Sequence, residues 1–378
     1  MATTKILQCV YSMNYGGVES WLMHVLRNID RTRYQVDFAT FSAVGGAYDN
    51  EIQQLGSRIF RCSPLARPWM HGPELRSIFQ KFGPYDAVHS HGTIFNGVVL
   101  STAKRCGIPI RIVHGHNDIR QSLPVGSAKR IFAKWSIQKS KENATHGLTC
   151  SRFAASSLFG NNWESDPRWR VFYCGEDFSP FASDVQSPAL RRSLNLPEDA
   201  LVIGHVGSFR NQQKNQRYLI EIARELAKEG QEVCWLLVGD GILRHAIESY
   251  AARLGLGGRI VFTGERPDVP ELMVGAMDLF CFPSLYEGLG LALVEAQAAG
   301  LPCICSTAIP EEADVIPDLI TRVPLTAAPS VWARAINGAR NAIGLVPRDE
   351  ALAQVNNGPF NLANGIAMLA SLYSGQIP

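Results

Sequence analysis

Leu201–Gly230 reads LVIGHVGSFRNQQKNQRYLIEIARELAKEG, and it holds the unit from which the rest of the chain is built. An apolar run, Leu201–Val206, stops at Gly207. A polar turn carrying Arg210 and Lys214 follows. Apolar residues then return at helical spacing, with Leu219, Ile222, Ala223 and Leu226 on one face. An apolar run leading through a turn into an amphipathic helix is the strand and crossover of a parallel β-α-β unit.

The rhythm continues to the C-terminal side through VCWLLVGDG, RIVFTG, LFCFPS, LVEAQAAG and LPCICS. On the N-terminal side it runs through KILQCVY, VESWLMHVLRNI, YQVDFATF, DAVHSHG, a small-residue helix to Cys106, IRIVHGH, HGLTCS and RVFYCG. The two series share an architecture without a repeated sequence. Between them lies EDFSPFASDVQSPALRRSLNLPEDA, rich in proline, serine and charge, as linkers are. A boundary near residues 178–195 is expected, dividing the chain into 1–185 and 186–378, with the final helix free to cross back. The fold class expected is α/β, two Rossmann-like domains.

Bulk properties agree. A chain of 378 residues suits two cores, and 46% hydrophobic with 19% charged residues is a globular composition. No apolar stretch reaches the roughly 20 residues of a membrane span. MATTKILQCVY has a single lysine and no cleavage pattern after its apolar run, so it reads as a first strand rather than a leader. Nine scattered cysteines suggest packed thiols in a reducing cytoplasm. Residues 1–185 hold 21 Lys/Arg against 14 Asp/Glu, a net +7, and the remainder nets −5. Different partners for the two halves follow, but neither half is basic enough for nucleic acid.

In open parallel sheets ligands sit beyond the carboxyl ends of the strands, so residues just after strands are the candidates. Ser284–Pro302, SLYEGLGLALVEAQAAGLP, is the strongest stretch: a glycine-rich turn, then a helix starting near Gly290. Such a helix start favours a phosphate. Glu287 lies in the turn and Glu295 in the helix, among small and apolar residues where a carboxylate is costly unless a ligand uses it. Taken alone, Glu287 could instead complement the helix dipole and Glu295 pair with a lysine. Arg210 and Lys214 suit a diphosphate grip, or are solvated charges. Gly16 and Gly17 follow the first strand, with Glu19 in the first helical turn, but the GxGxxG of a dinucleotide site is missing. His89 and His91 end one strand, and His114 and His116 the next. No cysteine or acid follows them at useful ligand spacing, so a polar or catalytic role is expected and a metal is not. Lys129–Lys141, KRIFAKWSIQKSK, mixes bases with Ile131, Phe132, Trp135 and Ile137. It is an ordinary solvated helix, or one that rests on an anionic membrane.

Together these residues resemble the retaining glycosyltransferases of family 4, whose GT-B fold sets two Rossmann-like domains facing each other across a cleft. The resemblance spans nearly the whole chain. It is strongest from LVIGHVGSFRNQQKNQ through VGDG and FTGERPDVPELM to FPSLYEGLGLALVEAQAAGLP. It implies that Glu295 holds the nucleotide ribose, that Glu287 contacts donor-sugar hydroxyls, and that Arg210 and Lys214 bind the diphosphate. Gly16 and Gly17 would lie near the donor phosphates and the acceptor. Gly239, Gly288, Leu289, Gly290 and Leu291 complete the implied donor-binding set. The histidine beside the reacting sugar corresponds to His116, with His114 second, so the implied catalytic set is His116, Glu287, Arg210 and Lys214. Two departures stand out. Ser208 occupies the place of the family's usual arginine, and YCGEDFSPF, with Cys174 and Glu176, replaces its asparagine-glycine-isoleucine-aspartate.

The resemblance implies transfer from an α-linked nucleoside-diphosphate sugar, most often a UDP-sugar, with retention of configuration and with closure of the domains to exclude water. No cofactor or metal is expected, and no D-x-D sequence occurs. The acceptor implied is a saccharide or lipid-linked saccharide of exopolysaccharide or capsule synthesis, on a cytoplasmic protein that can associate peripherally with the inner membrane face. The alternatives are an epimerase or phosphorylase on the same fold, a sugar-nucleotide-binding protein without turnover and, least favoured, a nicotinamide-dependent reductase.

Overall fold

The computed structural model describes residues 3–92, 94–122, 126–185 and 187–376. The chain divides into two compact units, Met1–Glu176 with Leu362–Pro378, and Asp177–Asn361.

The first unit carries seven strands: β1 (Thr4–Val10), β2 (Tyr34–Thr40), β3 (Ile59–Arg61), β4 (Ala87–Ser90), β5 (Ile110–Gly115), β6 (His146–Thr149) and β7 (Trp169–Val171). They pair in parallel in the order β3-β2-β1-β4-β5-β6-β7. Helices cover both faces, so the strands are apolar on both sides. In β1, Ile6 and Val10 join a core with Trp21, Leu22 and Val25 of the helix Gly17–Asn28, while Leu7 and Cys9 face a second core with Leu75, Val99 and Leu100.

The helix Leu362–Tyr373, though last in the chain, completes the first of these cores with Leu369, Leu372 and Tyr373. Tyr34 Oη lies 2.8 Å from Ser374 Oγ, and Gln8 Nε2 donates to Tyr373 Oη at 2.9 Å. Interleaved aromatic packing and these hydrogen bonds hold the final helix in the unit.

The second unit carries β8 (Leu201–Val206), β9 (Val233–Val238), β10 (Ile260–Gly264), β11 (Leu279–Phe282), β12 (Cys303–Ser306) and β13 (Ile320–Val323), all parallel, in the order β10-β9-β8-β11-β12-β13. The helix Gln216–Lys228 lays Leu219, Ile220, Ile222, Ala223 and Leu226 on this sheet.

The segment read as linker is structured. Ser187–Ser193 is helical, Phe178 and Phe181 are buried, and Val185 and Leu190 sit where a Cβ on Gly275 would lie, 2.5 and 3.0 Å from it. Two buried phenylalanines in a polar stretch anchor it to the second unit, so the chain divides at Glu176/Asp177 rather than at 185/186. Strands β3 and β13 lie outside the strands read from sequence. Both are short edge strands, and β13 is only partly buried, so little apolar pattern marks them.

In each sheet the order of connection reverses beside the first strand, between β1 and β4 and between β8 and β11. Such switch points open a crevice beyond the strand ends. The polar turns after these four strands carry most of the candidate site residues.

Candidate functional site

In the second unit, the turns after β8 and β11 are tied together. Gln213 O accepts from Leu285 N at 2.8 Å, and Asn215 Nδ2 donates to Pro283 O at 3.1 Å. Asn215 takes the left-handed conformation, φ 55°, that turns the chain into the helix Gln216–Lys228. This brings Lys214 onto Glu287, its Nζ donating to Oε1 at 2.7 Å. Gln213 Nε2 lies 3.2 Å from both Glu287 Oε2 and Tyr286 O. Lys214 Nζ also stands 4.7 Å from the centre of the Phe282 ring. Glu287 is only 5% exposed, and a carboxylate so buried needs both its charge and its oxygens matched.

Glu295 lies on the helix Leu291–Ala298, which Gly290 caps in the left-handed region at φ 97°. The first amides of a helix have no partner within it and carry its positive dipole end. The Glu295 carboxyl group forms no hydrogen bond or ion pair among the described residues, while its backbone carbonyl accepts from Ala299 N at 3.1 Å. Burial pushes its carboxyl up to about 7, against the pull of the neighbouring Lys214 ammonium. Two acids and one lysine thus share a small region whose helix start favours an anion. Gly288, Leu289 and Gly290 are buried beneath it and Leu291 partly so.

Two packing constraints frame the lysine. A Cβ on Gly207 would come 2.8 Å from Lys214 Cγ and 3.1 Å from His205 Nε2. Gly239, at φ 131°, would carry a Cβ 2.2 Å from Gly207 O, so only glycine lets the β8 and β9 turns approach. His205 donates from Nδ1 to Cys281 O at 3.0 Å, and burial lowers its pKa to about 3. Arg210 is not brought to either acid. It is exposed, 3.5 Å from Glu265 Oε1.

In the first unit, Gly17 opens the helix Gly17–Asn28, and a Cβ there would meet nothing within 4 Å. One turn on, the Trp21 indole is centred 5.4–6.5 Å from the rings of His89, His91, His114 and His116. Adjacent parallel strands β4 and β5 stack these four rings into a single cluster. His89 Nδ1 lies 2.8 Å from Tyr373 Oη and its Nε2 3.2 Å from His114 Nδ1. His91 Nε2 lies 2.8 Å from Gln8 Oε1 and its Nδ1 3.0 Å from His116 Nε2. The Gln8 carbonyl only accepts, so His91 is protonated on Nε2 and accepts from His116 at Nδ1. Burial holds all four imidazoles neutral, His116 with a pKa of about 3. Neutral His116, hydrogen-bonded through Nε2, is suited to orienting a partner and poorly suited to carrying a proton away.

Sequence spacing offered the histidines no cysteine, yet Cys174 Sγ lies 3.9 Å from both His114 Nε2 and His116 Nδ1. The sheet order places the β7 end near the β5 end, which linear spacing hides. Glu176, two residues on, reaches His24 Nε2 at 3.5 Å.

Residues 129–141 lie in the helix Ser127–Asn143. Its small residues Ala133, Ser136 and Ser140 face inward, and a Cβ on Gly97 would come 2.4 Å from Ser136 O. Ile131 (68% exposed) and Trp135 (44%) face outward beside Arg130 and Lys134. Trp135 and Phe132 line a groove with Trp69, Pro73 and Val98.

Sequence reasoning missed Gln213, Phe282, His205, Gln8 and Tyr373. Gln8 left one signal, a polar residue inside the apolar run KILQCVY. His205 left the same signal in LVIGHV, and Gln213 stands in the polar turn beside Lys214; Phe282 and Tyr373 lie among unremarkable neighbours.

Residues 186–338 match the family described as Glycosyl transferases group 1, and residues 15–179 that described as Glycosyltransferase Family 4. The chain is 32% identical over 383 residues to EpsF of Bacillus subtilis (strain 168), a protein provisionally named a glycosyltransferase, covering 98% of this chain and 96% of EpsF. It is 30% identical over 227 residues to the Escherichia coli UDP-Gal:alpha-D-GlcNAc-diphosphoundecaprenol alpha-1,3-galactosyltransferase, covering 59% of this chain and 58% of that one. Among solved structures, Anabaena Alr3699/HepE in complex with UDP-glucose superposes with a TM-score of 0.80 at 21% identity, over 98% of this chain and 99% of that one. That likeness concerns the GT-B fold.

Proposed function

The chain belongs to the family 4 glycosyltransferases, and from that premise we propose a retaining, metal-independent transferase that moves a sugar from a UDP-sugar to a lipid-linked saccharide. The observation that carries this reading is the grouping of Lys214, Glu287 and Glu295 at the β8/β11 switch point beside the helix start at Gly290. A diphosphate leaving group needs positive charge, which Lys214 and the helix amides supply without an ion. The sugar and ribose hydroxyls need acceptors, which Glu287 and Glu295 supply. In the reaction the bond from the anomeric carbon to the phosphate oxygen breaks, and one to the acceptor oxygen forms on the same face. The acceptor proton passes to the departing phosphate. Neutral His116 fits this scheme, because no protein base is required.

The Escherichia coli relative's name specifies a UDP-sugar and a diphosphoundecaprenol-linked acceptor, which supports that choice of substrates. The groove beside Trp135, with Arg105 in its wall, has the amphipathic character an anionic lipid carrier would use. No described helix is long and apolar enough to cross a membrane. A peripheral enzyme at the cytoplasmic face of the inner membrane, in exopolysaccharide or surface-glycan assembly, is the setting we infer.

The test is nucleotide release from a panel of UDP-, GDP- and ADP-sugars, with and without EDTA and with a polyprenyl-diphosphate saccharide as acceptor. Selective release from a UDP-sugar, faster with acceptor and indifferent to EDTA, is expected. Release abolished by EDTA and restored by metal would overturn metal independence. Conversion of the donor sugar without acceptor or free nucleotide would mark an epimerase.

A further inference from the structure

The contacts of Cys174 with His114 and His116 are 3.9 Å long, too long for strong hydrogen bonds. A thiol and two imidazole nitrogens therefore converge on one point with little use made of any of them, all within 4.8 Å of one another. The second nitrogen of each ring is already held: His114 Nδ1 by His89 at 3.2 Å, His116 Nε2 by His91 at 3.0 Å. Behind these stand Tyr373 and Gln8. Metal-binding histidines characteristically have their outer nitrogen fixed in this way, which sets the tautomer and aims the lone pair. With zinc bonds of about 2.0 Å to nitrogen and 2.3 Å to sulfur, tetrahedral geometry puts N and S about 3.5 Å apart. The two sulfur–nitrogen separations need shorten by only a few tenths of an ångström, and the two nitrogens, within 4.8 Å of each other, would draw in to about 3.3 Å. The trio His89, His91 and His114 lies equally close together, but His89 and His91 have both nitrogens committed.

We propose that His114, His116 and Cys174 bind one Zn2+ or similar thiolate-seeking transition-metal ion, with a fourth position open on the half-buried His116 side. The second part of the proposal, which rests on the transferase reading, is that the ion opposes transfer by immobilising His116. The proton balance is simple. His116 is bare at Nδ1 when its Nε2 donates to His91, and His114 is bare at Nε2 when its Nδ1 donates to His89. Only the Cys174 thiol loses a proton. Burial keeps the imidazoles neutral and so ready to ligate, while it raises the thiol well above its usual range, so the ion must displace that proton. The nearby Glu176 carboxylate offsets part of the remaining positive charge. Mixed imidazole and thiolate ligands select zinc, cobalt or copper over magnesium and manganese.

The experiment is titration of the full chain with Co2+ as the spectroscopic probe. One equivalent is expected to bind, giving a near-ultraviolet thiolate-to-cobalt band and visible bands of tetrahedral intensity that Zn2+ removes. Cys174→Ser should lose the near-ultraviolet band and bind Co2+ at least tenfold more weakly. His116→Gln, at a half-buried position, provides a second weakened variant, with thermal unfolding confirming that each is folded. No stoichiometric Co2+ binding, or an unchanged band in Cys174→Ser, overturns the site. Glu295→Ala should keep the full cobalt spectrum while losing transfer, so this proposal and the transferase reading fail separately. Saturating Zn2+ should slow transfer at least tenfold; binding without slowing overturns the inhibitory part alone.

Discussion

Lys214 is the residue on which the proposed donor-side chemistry turns. Its ammonium satisfies a carboxylate that is almost completely buried, and it also tempers the rise in the Glu295 carboxyl. Lys214→Ala would leave Glu287 buried without a counter-charge, a loss of about 3 kcal/mol in unfolding free energy. It should also lower kcat/KM at least tenfold, roughly 1.4 kcal/mol of transition-state stabilisation, as should Glu295→Ala. Denaturant unfolding and steady-state kinetics of the same preparations check both. Glu295 carries a pH signature of its own. Its folded pKa of about 7 lies above the ordinary carboxylate value, so the folded protein holds the proton longer than the unfolded chain. Its contribution to stability therefore falls as pH rises from the ordinary carboxylate range through 7. The proposed ribose binding would run the other way, since the ionised carboxylate is the better acceptor. UDP-glucose, whose phosphates do not titrate near neutrality, should bind more weakly as pH falls below 7, and Glu295→Gln should abolish that dependence in calorimetry.

At the scale of the element, the turn into the helix Leu291–Ala298 is the critical joint. Gly290 is left-handed, and a Cβ there would meet Ile309 Cγ2 at 3.1 Å. Gly290→Ala should cost about 1–2 kcal/mol and tilt the helix start. A lower unfolding midpoint with several-fold weaker donor binding is the expected pair of results; loss of stability with donor affinity intact would remove the helix start from the site. The glycine-rich turn and helix were legible because they follow the buried run LFCFPS directly. Strands β3 and β13 were not, since short edge strands need no continuous apolar run.

At the scale of the whole molecule, the chain's last helix is part of its first unit. A chain ending at residue 361 would lose Leu369, Leu372 and Tyr373 from the core around Trp21, together with the hydroxyl that engages Gln8 and His89. Hydrogen exchange should then rise across β1 and β2 while β8 and β9 stay protected; equal protection in both units would sink the assignment. The histidine cluster adds an acid sensitivity. Its imidazoles are held neutral below their usual pKa, so the unfolded chain takes up protons first and this unit loses stability as pH falls below about 6.5.

The amino-acid sequence by itself determined the parallel α/β class, because strand and helix periodicities and the turns between them are local. It also marked Lys214, Glu287, Glu295 and Gly290, which stand in short stretches directly after apolar runs. Tertiary structure alone decided that Lys214 pairs with Glu287 while Arg210 faces solvent, that four histidines form one cluster, and that Cys174 and Tyr373 join it. Those outcomes depend on which strands lie side by side and on where the final helix docks. Both are set by burial of surface between residues tens to hundreds of positions apart, which no local pattern records.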